Sequence, residues 1–181
     1  MFSAFIKNPQ NCRYQGQDGD EEIILLLRAH PITNLSWIIL AVLVFLLPIL
    51  APKAAAFYRL DFPFVPANFS LVLLIINYLL VLVMVFEGFL GWYFNVNILT
   101  NKKIVDIDFN SILSKNIDLA LLRDVQECNS HLNGILGMIF NFGDVYVQTA
   151  ASNETIDFKK VPHPDLSSDI VMDAALKVRN I

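Results

Sequence analysis

Charged side chains make up only 17% of this 181-residue chain, against roughly 25% in ordinary soluble domains. The charge that exists is weighted to the acidic side, 17 Asp and Glu against 13 Lys and Arg, for a net of −4. Nucleic-acid binding needs basic surface to displace counterions from phosphates, so no DNA or RNA partner is expected. Cysteine is as sparse: Cys12 and Cys128 stand far apart, with no C-x-x-C spacing and no His cluster beside them, so they read as free thiols and signal neither a zinc site nor a redox pair. His30, His131 and His163 occupy three different segments, and the seven glycines form no phosphate-cradling loop. Gly-x-Ser-x-Gly and H-E-x-x-H are both missing from the sequence. Catalysis, a cofactor and a bound metal are therefore not expected. A cleavable secretion signal would open with a basic stretch, whereas the first apolar run here follows a polar arm carrying Asp18, Asp20, Glu21 and Glu22. An uncleaved segment is expected, despite the cleavage-like Ala54-Ala55-Ala56.

What the chain has in abundance is apolar surface, 55% of residues with a mean hydropathy of +0.53. Two runs concentrate it, Leu35 to Leu50 and Phe69 to Phe86, and neither contains a charge. A hydrocarbon core needs roughly 20 apolar residues per helix. With Thr33 to Trp37 and Glu87 to Trp92 supplying interfacial ends, two spans are expected over about 33–51 and 69–92. Residues 51–68 carry Pro52, Pro63 and Pro66 and read as a compact Pro-rich loop whose Phe57, Tyr58, Phe62 and Phe64 lie along the interface.

Arg28 before the first span and Lys102 and Lys103 after the second outnumber Lys53 and Arg59 in the loop. By the positive-inside rule, both termini are expected in the cytoplasm of a multi-pass inner (cell) membrane protein. Trp37, Trp92 and Tyr93 then serve as interfacial anchors at one headgroup level. Asn77 falls near the middle of the second run and Glu87 near its inner end. For Asn77 the expectation is an interhelical hydrogen bond, to the first span or to another copy. For Glu87 it is a carboxylate reaching the interface.

From Phe94 the pattern changes to period two, which marks strands buried on one face. Val96 and Ile98 alternate with Asn95 and Asn97, and beyond the turn Thr100-Asn101-Lys102-Lys103, Val105, Ile107 and Phe109 alternate with Asp106 and Asp108, which predicts a hairpin. Asp106 and Asp108 read as its wet face. Ile117, Leu119 and Leu121 form a further strand, or a pair of strands, expected to run on through Val125, and Asn129 to Gly137 an irregular stretch with Leu132, Ile135 and Leu136 plugging one end of the core. Gly143-Asp144 predicts a turn or bulge before Val145 and Val147, and Ser152-Asn153-Glu154 a turn leading to Ile156 and Phe158. After Pro162 and Pro164, Ile170, Val171, Ala174, Ala175 and Val178 recur at helical spacing with Asp169, Asp173 and Lys177 opposite, predicting an amphipathic terminal helix with Asp165 and Ser167 placed to cap it.

The order of these parts resembles the second bacterial type of pleckstrin-homology (PH) domain in small membrane proteins with a two-span hairpin. The residues that carry the resemblance are Gly19 to Pro31, Tyr93 to Thr100, Ile117 to Val125, Ile135-Leu136-Gly137, Gly143 to Ala150 and Val161 to Pro164. Where the family's turn after the first strand usually ends in Arg, this chain has Lys102-Lys103. The resemblance implies a membrane α-helical hairpin followed by a small α+β domain over 93–181, a PH-like bent sheet or barrel closed by a C-terminal helix, with residues 1–34 as a polar arm holding a short apolar segment. It implies no assigned activity.

Phosphoinositide recognition by PH domains uses basic loops, but residues 95–181 carry eight basic against eleven acidic side chains, a net of −3. Lys102 and Lys103 are the residues placed to contact anionic headgroups, each worth about 1 kcal/mol there. The expected function is a non-catalytic membrane protein that presents a binding or assembly module, with the lipid bilayer and either a protein or further copies of itself as partners. The alternative is a subunit of a transport or channel assembly using Asn77 and Glu87.

Overall fold

The computed structural model describes residues 3–9, 12–14, 16–59, 67–111, 114–150 and 155–179. The chain divides into two units, residues 34–90 and the remainder, Met1–Thr33 with Gly91–Ile181.

The first unit is a pair of helices, α1 (Leu35–Phe57) and α2, which runs Ala67–Phe94 and ends in the other unit. Leu, Ile, Val, Phe and Ala fill most of both, and α1 continues through Pro48 and Pro52. Each proline removes a backbone donor and clashes with the preceding turn, yet the strong helix formers Ala54 to Ala56 carry α1 past the expected end near residue 51 to Phe57. It stops at Arg59, whose φ of 51° turns the chain left-handed, with Tyr58 N–H returning to Ala54 O. Phe57 and Tyr58 are exposed and meet edge to face; Phe62 and Phe64 lie outside the described residues. Only Ala41 and Ala55 of α1 are buried. Most of the other described apolar side chains of both helices are exposed.

The second unit is built on antiparallel strands: β1 (Phe5–Lys7), β2 (Ile23–Leu27), β3 (Val96–Thr100), β4 (Lys103–Ser111), β5 (Ser114–Leu121), β6 (Val125–Leu132), β7 (Phe142–Thr149) and β8 (Thr155–Pro162). One sheet runs β1-β2-β3-β4-β5 and the other β6-β7-β8. The predicted hairpin is β3–β4, with Ile98 opposite Val105. Strand β2, read from sequence only as a short apolar segment of the arm, pairs with β3 through Leu25↔Leu99 and Leu27↔Asn97. The helical hairpin is therefore an insertion between two neighbouring strands, and the arm belongs with the sheets.

The strand or pair of strands read from Ile117 through Val125 is a pair, β5 and β6, divided by a 3-10 turn at Leu122–Asp124 that buries Leu122 in the core. One further expectation is corrected. Asn129 to Gly137 is not an irregular plug, because Asn129 to Leu132 complete β6 and Gly134 opens α3 (Gly134–Phe140). Ile135 and Leu136 are exposed rather than inserted into the sheet. The predicted bulge at Gly143-Asp144 is present as a register shift in β7–β8, while the turn at 152–154 lies outside the described residues.

The main core lies between the sheets and beneath α4 (Pro164–Arg179). Leu25, Leu99 and Ile104 meet Val145, Val147 and Phe158, and Val171, Ala174 and Ala175 of α4 close it. Each such large side chain removed from water contributes about 1.5–3 kcal/mol. Asp169, Asp173 and Lys177 stay exposed, as the helical spacing predicts. Pro164 starts α4, Asp165 accepts from Ser130 Oγ at 2.6 Å and Ser168 Oγ donates to Cys128 O at 3.0 Å. Arg179 reaches back to the carbonyl of Val125. A smaller cluster of Ile23, Ile98 and Val105 lies on the other face of the larger sheet, packed by Cys12 and Tyr14 of the arm.

Candidate functional site

The lysine pair occupies the β3–β4 turn. Thr100 Oγ1 accepts the backbone N–H of Lys102 (3.2 Å) and Lys103 (2.9 Å), which fixes the turn. The acidic run of the arm lies against it: Lys102 Nζ meets Asp20 at 2.6 Å, and Lys103 Nζ meets Glu21 at 3.2 Å and Asp18 at 3.3 Å. Glu21 has a fully buried side chain that also accepts from Tyr14 Oη at 2.6 Å and from the Asp18 N–H at 3.1 Å. Burial would raise its pKa, but these donors, Thr100 and Lys103 together hold it below the usual carboxylate range. Burial and the bond to Glu21 push Tyr14 up to about 12. The hydrogen bond to Asp20 raises Lys102; Lys103 also rises, because Glu21 and Asp18 outweigh its desolvation. Both ammonium groups are thus already engaged, and a headgroup would compete with the arm's carboxylates for them. The Tyr14–Glu21–Lys103 knot was not anticipated, because its recognition depends on seeing β2 as the neighbour of β3.

The reading of Asp106 as a wet-face residue is corrected. Its side of β4 turns toward the interior while Cys12 and Tyr14 pack the opposite side, so Val105 (1% exposed) and Asp106 (6%) are both buried. Asp106 faces Asp118 in register. Burial pushes it up to about 7, with Asp108 and Asp118 adding to the rise and Lys159 opposing it. Among the described residues, no group of His, Cys, Asp and Glu is arranged to hold a metal ion.

Beside this pair lies the outer edge of the larger sheet. Strand β5 pairs with β4 and has no second strand neighbour among the described residues. Its Ile117, Leu119 and Leu121 are exposed. Ile117 and Leu119, with Tyr14, Gly16, Lys103, Val105 and Ile107, line a cleft of about 230 Å³. An edge with free backbone groups and an apolar side-chain row can accept an added strand, its main chain held by the ladder and alternate side chains by the cleft.

His30 and His163, distant in sequence, come close enough for His163 to lower His30 after the larger effect of burial. The His30 ring stacks on Phe142, and His163 meets Phe5 edge-on and Asn141 Nδ2 at 2.9 Å. His131 is exposed on β6.

Within the helical unit, Trp37 Nε1 donates to Asn34 Oδ1 at 3.2 Å and its ring covers Gly88, where a Cβ would sit 2.7 Å away. Asn77 lines an open groove of about 890 Å³ with Pro48 and Pro52, and its Oδ1 is buried with no hydrogen-bond partner among the described residues. Glu87 is exposed. In the other unit, Trp92 Nε1 donates to Ala29 O at 2.8 Å and the Tyr93 ring lies under Arg28 at 4.8 Å.

No protein-family model matches the chain, and no curated protein matches it. Among solved structures, a DUF1696-family protein with a pleckstrin-homology domain from Shewanella loihica PV-4 is similar over 47% of this chain and 70% of its own length, at 9% identity and a TM-score of 0.35.

Proposed function

We propose that α1 and α2 cross a lipid bilayer and that the β-rich unit is a non-catalytic, PH-like binding or assembly module held at its cytoplasmic face. The observation that carries the membrane reading is burial. Both helices are long and apolar enough to span, yet only Ala41 and Ala55 of α1, and none of the described side chains of α2, are buried. A core helix of a soluble protein would hide such side chains, and water would not tolerate them exposed. The PH-like reading is supported by the arrangement of strands in two antiparallel sheets with a C-terminal helix closing the core. The unit takes in more of the chain than residues 93–181, since β2 of the arm enters the same sheet.

The β5 edge is the binding surface of this module, and its occupant is an extended segment of a protein partner or of another copy. A photo-crosslinking residue at Leu119 in native membranes should give a discrete adduct that the same residue at Asp173, on the outer face of α4, does not give. Equal labelling from both positions, or none from Leu119, would overturn this reading of β5.

Asn77 favours a second reading. Its unpartnered oxygen inside a run of apolar residues suits either a hydrogen bond across helices of an oligomer or a polar point in a transport path. Leu in place of both Asn77 and Glu87 separates these: loss of ion or solute flux with an intact fold supports transport, and loss of oligomers alone supports assembly.

A further inference from the structure

We infer that α3 is a third point of lipid contact, a short apolar wedge that enters the boundary between headgroups and acyl chains. This rests on the spanning reading of α1 and α2.

Five of its seven residues, Ile135, Leu136, Met138, Ile139 and Phe140, are large, apolar and exposed, Ile135 at 77% and Met138 at 71%. Gly137 alone is buried, because the helix approaches the Phe142 carbonyl so closely that a Cβ would stand 2.7 Å from it. The segment from Leu132 to Gly143 contains no charged residue. A soluble surface rarely gathers so much uncharged apolar area in so few residues without something to cover it.

The place of α3 in the β-rich unit identifies the cover. The residue that follows its cap, Phe142, stacks on His30 with ring centroids 5.5 Å apart. His30 is separated from α1 only by the 3-10 turn Pro31–Asn34. Its N–H donates to Lys160 O at 2.7 Å, its O accepts from the Thr33 N–H at 2.9 Å, and the Asn141 carbonyl at the end of α3 accepts from the His163 N–H at 2.9 Å. The chain returns at the same corner, where Trp92 Nε1 bonds to Ala29 O. The end of α3 is thus fixed to the corner through which the chain leaves for α1 and comes back from α2. That corner also exposes Lys160, a cation suited to anionic headgroups. Apolar side chains that sit where two spans depart meet lipid before they meet any soluble partner.

The test uses the full chain in lipid nanodiscs, with Cys12 and Cys128 replaced by Ser and a single environment-sensitive fluorophore attached through Met138→Cys. Parallel chains carry it through Ile139→Cys, through Leu80→Cys in α2, and through Asp173→Cys on the outer face of α4. Lipids with a nitroxide near the headgroup and, for the Leu80 label, lipids with a nitroxide deep in the acyl chain, together with aqueous iodide, act as quenchers. The inference expects the Met138 and Ile139 labels to be quenched at least twofold more by the nitroxide lipid than the Asp173 label, and less by iodide. Quenching of the Leu80 label by lipid with the Met138 and Ile139 labels behaving like Asp173 would overturn the wedge and leave the spans standing. Labels at 138 and 139 that are shielded from both quenchers, in a manner that rises with protein concentration, would also overturn it in favour of a second copy. Failure of the lipid quencher to reach even the Leu80 label would remove the spanning reading itself.

Discussion

Replacing Asp106 by Asn should stabilise the protein at neutral and alkaline pH and should flatten its stability between pH 4 and 7. Asp106 is 6% exposed and faces Asp118 across the ladder, and its pKa is pushed from 3.8 to about 7, chiefly by burial. The folded state therefore keeps a proton that the unfolded chain has released over that interval. Stability contributed by the protonated carboxyl is complete below pH 4, falls as pH rises through 7, and is level beyond it. At about 1.4 kcal/mol per pH unit the whole displacement corresponds to at most about 4 kcal/mol. Asp118 is exposed and Asp108 partly so, and solvent screening of their share reduces the expected cost to about 2 kcal/mol. An amide carries no charge to bury, and the register sets Asn97, whose Oδ1 is buried without a partner, directly opposite to receive its N–H. Thermal unfolding of the full chain in detergent micelles should then give Asp106→Asn a Tm about 4–8 °C above the parent at pH 8, at about 2–4 °C per kcal/mol. At pH 4 the two should coincide. His30 is lowered by burial and works in the opposite direction, gaining stability as pH rises toward 6.5. The difference between variant and parent removes that contribution. A variant less stable than the parent at pH 8, or one offset from it equally at both pH values, would refute the reasoning.

Lys103→Met strands the buried Glu21 carboxylate, whereas Lys102→Met frees only the exposed Asp20, so the first should lower Tm clearly and the second hardly at all. Glu21 is held below its usual 4.5, so its paired state adds stability above that pH and loses it in acid; the penalty of Lys103→Met should shrink as the pH falls below that usual value, measured by the same unfolding scans. Gly143→Ala drives a Cβ onto the His131 carbonyl across the β6–β7 ladder, which should cost more than about 3 kcal/mol and show as loss of the cooperative transition. Asn77→Leu removes a buried amide oxygen that has no partner. It should leave the helical content by circular dichroism unchanged while dissociating any oligomer seen by crosslinking in nanodiscs; oligomers that persist would assign Asn77 no part in assembly.

Much of this architecture was legible because its physics is local. The two apolar helices stand out as uncharged runs long enough to span, and the β3–β4 alternation and the face of α4 formed by Val171, Ala174 and Ala175 each repeat at the period of one regular structure. Strand β2 was not, for its five consecutive apolar residues Ile23 to Leu27 have no period, and its partner Leu99 lies beyond the whole helical insertion. Missing that pairing hid two consequences. The arm's carboxylates could not be matched to Lys102 and Lys103, and Asp106 looked solvated because Val105 and Ile107, which Cys12 and Tyr14 cover, were taken for the side of β4 that faces the core. The segment around Ile135 failed for another reason. Apolar residues were assumed to seek the nearest core, whereas α3 turns them outward.

The central claim is that lipid surrounds α1 and α2 while the sheets stay on one side. In a chain with Cys12 and Cys128 replaced by Ser, a membrane-impermeant thiol reagent applied to intact cells should label Arg59→Cys, at the exposed end of α1. It should label Lys177→Cys, on the outer face of α4, only after the membrane is broken. Equal labelling of the two positions in intact cells, or recovery of the untagged chain as a monodisperse species in detergent-free buffer, would contradict the account.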